Sequence, residues 1–237
     1  MSDNESSSYR GGFPAYIPAS KRRVIMAKMA EKLKARDPSV QPIEANTKRN
    51  FVSSFWGMAW CRHLESFADY ESRLPKGRSY LRSGAILDLR VRPGQISAKV
   101  MGSELYSPKI TIAPLPDHKW NVIKAAAAGQ IDTIIDLING QLSKGVLAAI
   151  VDKYDGLFPA PRDISMVCNC LDDAHLCKHI AAVLYGVGVR MDTDPSVLFD
   201  LRGVNQSDLI TDIPGESDLD SSSLSDIFGV HIESNDS

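Results

Sequence analysis

The sequence contains no run of about 18 apolar residues, so nothing in it reads as a membrane span. Its opening stretch, MSDNESSSYRGG, lacks the apolar segment of a secretory signal, which makes the cytoplasm the expected compartment. Gly-x-Ser-x-Gly, Walker-type loops and dinucleotide fingerprints are missing. No enzyme and no small-molecule substrate are therefore expected. Cysteine is scarce, with four in 237 residues. In a reducing compartment, clustered cysteines point to a metal or to catalysis rather than to disulfides. Residues 205–237 hold no lysine or arginine at all.

What is present is enough apolar residue (43%) to bury a core, with 24% charged. The net charge of −2 hides an asymmetry: residues 1–50 carry +5, residues 51–110 carry +4, and residues 205–237 carry −8. A basic first half can meet phosphate, or it can be a solvated surface that the acidic tail partly neutralises.

Four segments follow. Residues 1–50 form a basic N-terminal arm with one helix over about 20–36, capped by Ser20. Residues 51–160 form the core domain. Its helix from Ser54 to about Tyr70 carries Trp56 and Trp60 four apart, on one face. RLPKGRSYLRSG reads as a turn-rich basic loop. Strands follow around Pro93-Gly94, which fits a hairpin turn. Ile96, Ala98 and Val100 alternate with polar residues, and Tyr106 to Ala113 makes a third strand. Helices over about 117–128, 130–139 and 143–154 complete this segment. Residues 161–204 hold the remaining cysteines and two helices. Residues 205–237 form an acidic tail with an apolar island over 224–232, expected to be largely disordered. The fold class is α+β, a small antiparallel sheet of three or more strands with surrounding helices.

The chemistry lies in MVCNCLDDAHLCKHIAAVLYGV, where Cys168-x-Cys170 is followed after six residues by Cys177-x-His179. Two cysteines one residue apart project to the same side of an extended chain. Cys177 and His179 cannot share a face inside a helix, so Cys177 sits before the first turn and His179 at its start. Ile180, Val183, Leu184 and Val187 then recur at helical spacing. Three thiolates and an imidazole match one structural Zn2+, and four protein ligands leave no open position for catalysis. Buried thiols beside a core histidine would be the bland alternative, but Asn169, Asp172, Asp173 and Lys178 are poor company for an apolar strand. Asp172 and Asp173 themselves read as solvated, and His175 as exposed. Cys61 and His63 repeat the Cys-x-His spacing within a helix and read as structural, as do Trp56, Trp60 and Trp120.

The Cys-x-Cys-x6-Cys-x-His segment resembles a SWIM zinc finger. AYIPASKRR (15–23), FWGMAWCRHLESFADYESRLPKGRSYLRSG (55–84), VMGSELYSPKITIAPL (100–115), GLFPAPRDI (156–164), residues 181–204 and LSDIFGVHI extend the likeness to bacterial SWIM-domain proteins associated with SNF2-type helicases. The resemblance implies zinc on the four residues named. It also implies an accessory role in DNA binding or protein interaction, with no enzyme activity. Leu171 and Ala174 stand where the family usually has proline and an aromatic residue.

Two functions are open from the residues themselves. Arg73, Lys76, Arg78 and Arg82 gather near Gly77 and Tyr80, and such a loop could set guanidinium groups on DNA phosphates. Alternatively the chain is a protein-interaction module, with Leu224, Ile227 and Phe228 as the partner-binding island.

Overall fold

The computed structural model describes residues 18–44, 50–67, 72–131, 133–172 and 174–210. In order these form α1 (Ala19–Arg36), α2 (Phe55–Glu65), α3 (Leu74–Arg82), β1 (Ile86–Arg92), β2 (Gln95–Met101), β3 (Leu105–Tyr106) and β4 (Lys109–Ile112). Then come α4 (Asp117–Ala127), α5 (Ile134–Asn139), α6 (Lys144–Val151), β5 (Ile164–Val167), α7 (Lys178–Met191) and α8 (Ser196–Arg202). The expected arm before residue 18 and the expected island of Leu224, Ile227 and Phe228 lie outside the described residues.

The class is α+β, as the alternating and helical patterns require. Among the described residues the sheet has five antiparallel strands in the order β1-β2-β4-β5, with β3 pairing beside β2. Arg92 pairs with Gln95 across the Pro93-Gly94 turn, and Gly94 takes φ +66°, a left-handed conformation that glycine adopts without steric cost. Ile86, Leu89, Ile96, Val100, Ile110 and Ile112 line the buried face.

α7 lies on that face and is the centre of the molecule. Eleven of its fourteen residues are buried, so it is apolar nearly all round rather than striped. Small residues let its neighbours approach. A Cβ on Gly77 of α3 would lie 2.6 Å from the Ala181 Cβ, and one on Gly57 of α2 would lie 2.7 Å from the Gly188 carbonyl oxygen. At neither glycine is the backbone left-handed, so what glycine supplies there is room. Gly77→Ala should cost about 1–3 kcal/mol by overpacking, read as a lower urea midpoint. A midpoint at the wild-type value would mean that α3 can back away from α7.

Trp56 and Trp60 are fully buried, and their indole N–H groups donate to the carbonyls of Leu137 (3.0 Å) and Leu184 (2.7 Å). Trp120 is buried as well, so all three tryptophans belong to the core as expected.

Several elements differ from the sequence reading. The segment expected as a basic loop is the helix α3, with Pro75 in its first turn, where its missing N–H is not needed. Leu74 and Leu81 bury against the core and override the turn-forming look of Pro, Gly and Ser. α2 stops at Glu65 rather than Tyr70, and its N-cap Ser54 accepts a hydrogen bond from the Gly57 N–H. Pro18, not Ser20, precedes the first turn of α1. β5 was not foreseen.

Candidate metal centre

β5 pairs in register with β4, Lys109 opposite Val167, and so delivers Cys168 at the end of a fixed strand. The chain then bends through Cys170 and returns to α7. Cys177 is the N-cap of that helix, with extended φ −81° and ψ 166°, and His179 is its second residue. This is the arrangement the spacing requires. Leu176 and Ile180 are buried on either side and anchor the return.

The Sγ atoms of Cys168, Cys170 and Cys177 and one ring nitrogen of His179 all lie within 4.8 Å of one another. His179 Nδ1 is 3.9 Å from the Sγ of Cys168 and 3.9 Å from that of Cys177. A tetrahedral ion with Zn–S of about 2.3 Å and Zn–N of about 2.0 Å needs donors about 3.5–3.8 Å apart. The donors therefore fit one such ion after a small contraction. Cys177 and His179 are buried, and Cys168 and Cys170 half-buried.

The histidine is held by residues that the sequence reading did not single out. The Tyr106 ring stacks on His179 (centroids 4.0 Å, planes 20° apart), and Tyr80 meets it edge-on at 5.3 Å. Gly102 closes the third side: a Cβ there would sit 2.9 Å from the Tyr106 ring and 3.1 Å from His179 Nε2. His179 Nε2 is buried without a hydrogen-bond partner among the described residues, while Nδ1 faces the thiols. Nothing local in the sequence marks Tyr80, Gly102 or Tyr106, because each meets His179 only through long-range packing.

Polar contacts tie the cysteine loop to its surroundings. Asn169 Oδ1 accepts from the Ser107 N–H at 2.8 Å. Asp172, expected to be solvated, instead pairs with Arg73 at 3.1 Å. His175 is exposed, as expected.

Burial pushes the Cys168 thiol up to about 12 and raises that of Cys177, while burial, aided by Lys178, pulls His179 down to about 4. Without metal these two thiols are protonated at neutral pH and the imidazole is neutral, ready to ligate. Uptake of an ion must therefore displace thiol protons, so affinity rises with pH. Competition with a chelator between pH 6 and 8 should show log K climbing by about two or more per pH unit. A flat profile would mean that these thiols are not the ligands.

Arg73, Lys76, Arg78 and Arg82 sit on or beside α3 rather than in an open loop. Arg73 holds Asp172, and Arg78 pairs with Glu65 at 3.2 Å and lies over the Tyr185 ring at 5.7 Å. Arg82 lies over the Phe51 ring at 5.7 Å. Lys76 is exposed. Cys61 and His63 are both buried, as expected of structural residues. Burial pushes the Cys61 thiol up to about 12 and lowers His63, whose Nε2 lies 3.0 Å from the Pro159 carbonyl.

No family model and no solved structure matches this chain. Among curated proteins it is similar to an uncharacterized protein of Mycobacterium tuberculosis, Rv2102, at 29% identity over 175 residues, 72% of this chain. The match spans 63% of that relative's length.

Proposed function

We propose that this chain is a zinc-dependent binding module of the SWIM type that works by presenting a surface to a macromolecule rather than by catalysis. The observation that carries the reading is the closed donor set: three thiols and one imidazole converge within 4.8 Å. Such a soft, four-member set suits Zn2+, and its role is to hold elements together. Here those elements are β5 and α7, the edge of the sheet and the central helix. No helix among the described residues is long and apolar enough to cross a membrane, and the cytoplasm is the compartment in which we place the module.

Within this reading the partner is DNA, contacted as an accessory to an SNF2-type helicase. Support comes from α1, where Lys21, Lys28, Lys32, Lys34 and Arg36 are all exposed. Phosphate contacts of this kind are steeply salt-dependent and weakly specific. Lys28→Glu with Lys34→Glu should weaken duplex DNA binding about tenfold at 50 mM salt in a gel-shift titration. Unchanged affinity would favour a protein partner, a reading that the fully exposed Leu171 and the exposed Val167 beside the metal loop would then support. Reversing Arg78 and Arg82 is a poorer test, because both already hold other parts of the fold.

A further inference from the structure

A groove runs between α1 and the open face of the sheet. Its main hollow, about 420 Å³, has apolar walls of Leu33, Val40, Leu105 and Pro108. A second hollow of about 170 Å³ continues it past Met29, Leu87 and Met101, sharing Leu33, Arg36 and Leu105. The rim is cationic. Arg90, Ser97 and Lys109 lie in register across three strands, with Lys99 two residues from Ser97. The two carboxylates in the groove, Asp37 and Asp88, are both taken by Arg90, at 2.9 and 2.8 Å. Lys32, Arg36, Lys99 and Lys109 have no carboxylate partner among the described residues.

The groove therefore asks for a ligand that is at once apolar and anionic. A phosphate backbone would answer the cations and leave Leu33 and Leu105 uncovered. A neutral apolar peptide would do the reverse. One stretch of this sequence has both properties. Residues 211–237 contain seven Asp/Glu and no Lys/Arg, and within them LSDIFGVHIE places Ile227, Phe228, Val230 and Ile232 between Asp226 and Glu233, with Leu224 just before.

We propose that residues 224–233 dock in this groove in cis, the apolar side chains against Leu33 and Leu105 and the carboxylates against Lys99, Lys109, Lys32 and Arg36. Reach is not limiting. The 13 residues between Ile210 and Leu224 can span at most about 45 Å, against a radius of gyration near 18 Å for a domain of this length. The tether gives the segment a local concentration in the millimolar range, so weak contacts suffice. The docked segment screens the cations of the groove and of the adjoining end of α1.

The test uses the full-length chain. Zero-length carbodiimide cross-linking should join Asp226 or Glu233 to Lys99 or Lys109, and mixed 14N/15N chains should yield no hybrid pairs. Lys99→Glu with Lys109→Glu, both exposed surface changes, should speed amide exchange over 224–232 at least fivefold. Adding Asp226→Lys and Glu233→Lys should restore protection. Missing cross-links, or exchange indifferent to the reversal, would overturn the proposal. So would hybrid pairs, which assign the groove to a second copy. An oligonucleotide that binds the groove without speeding exchange over 224–232 would overturn it as well.

Discussion

Cys170→Ala should reduce bound zinc from one ion per chain to none and lower the thermal midpoint by about 10–20 °C. The size follows from where the site sits. Structural zinc contributes on the order of 10 kcal/mol to folding when a small finger has little else. This chain has a large core of its own, so only part of that energy, about 5 kcal/mol, is lost with the ion. For a chain of this length each kcal/mol is worth about 2–4 °C. The effect is not confined to the cysteine loop. His179 lies on α7, the helix against which α2, α3 and β1 all pack, and Cys168 follows directly on β5. Cys170 is the cleanest position because it is half-buried, whereas His179→Ala would also remove the stack on Tyr106. Metal analysis with calorimetry decides the matter. A metal-free variant melting at the wild-type temperature would show that the ion, if bound, holds nothing together.

Asp163→Ala should cost about 3 kcal/mol, far more than an ordinary surface change. Arg202 on α8 is 1% exposed, and its guanidinium donates to the Ala113 carbonyl at 2.7 Å and pairs with Asp163 at 3.4 Å. Burial pulls this guanidinium downward in pKa, opposed by Asp163. Removing the carboxylate leaves a buried charge with one carbonyl for company and also deprives the Ala160 N–H of its acceptor at 3.3 Å. Arg202→Met should cost less than half as much, because it removes the charge itself and leaves a carboxylate that water partly reaches. Urea titrations of the two variants test this asymmetry. If Asp163→Ala costs under about 1 kcal/mol, the guanidinium is finding solvent instead.

The convergence of the three cysteines and His179 was legible because it is local: residue type and spacing alone place Cys177 before a helix and His179 inside it. α7 was legible for a related reason, since its apolar residues recur at helical spacing. The β1–β2 hairpin announced itself through Pro93-Gly94 and the alternation on β2. The three missed features depend on distant partners. β5 is four residues long and becomes a strand by pairing with β4, more than fifty residues earlier. α3 carries Pro, Gly and Ser, which look like turn residues until Gly77 is seen against Ala181. Tyr80 on α3, Gly102 in the β2–β3 turn and Tyr106 on β3 enclose His179, and no period in the sequence brings them together. For the arginines on and beside α3, charge alone offers phosphate contact as one possibility and cannot show that Glu65, Asp172 and Phe51 engage them.

X-ray absorption at the zinc edge of the purified full-length protein tests the central claim most directly. One ion per chain with three sulfur neighbours at about 2.3 Å and one nitrogen near 2.0 Å is the predicted first shell. A shell of oxygen and nitrogen alone, or protein that folds and takes up no ion, would contradict it.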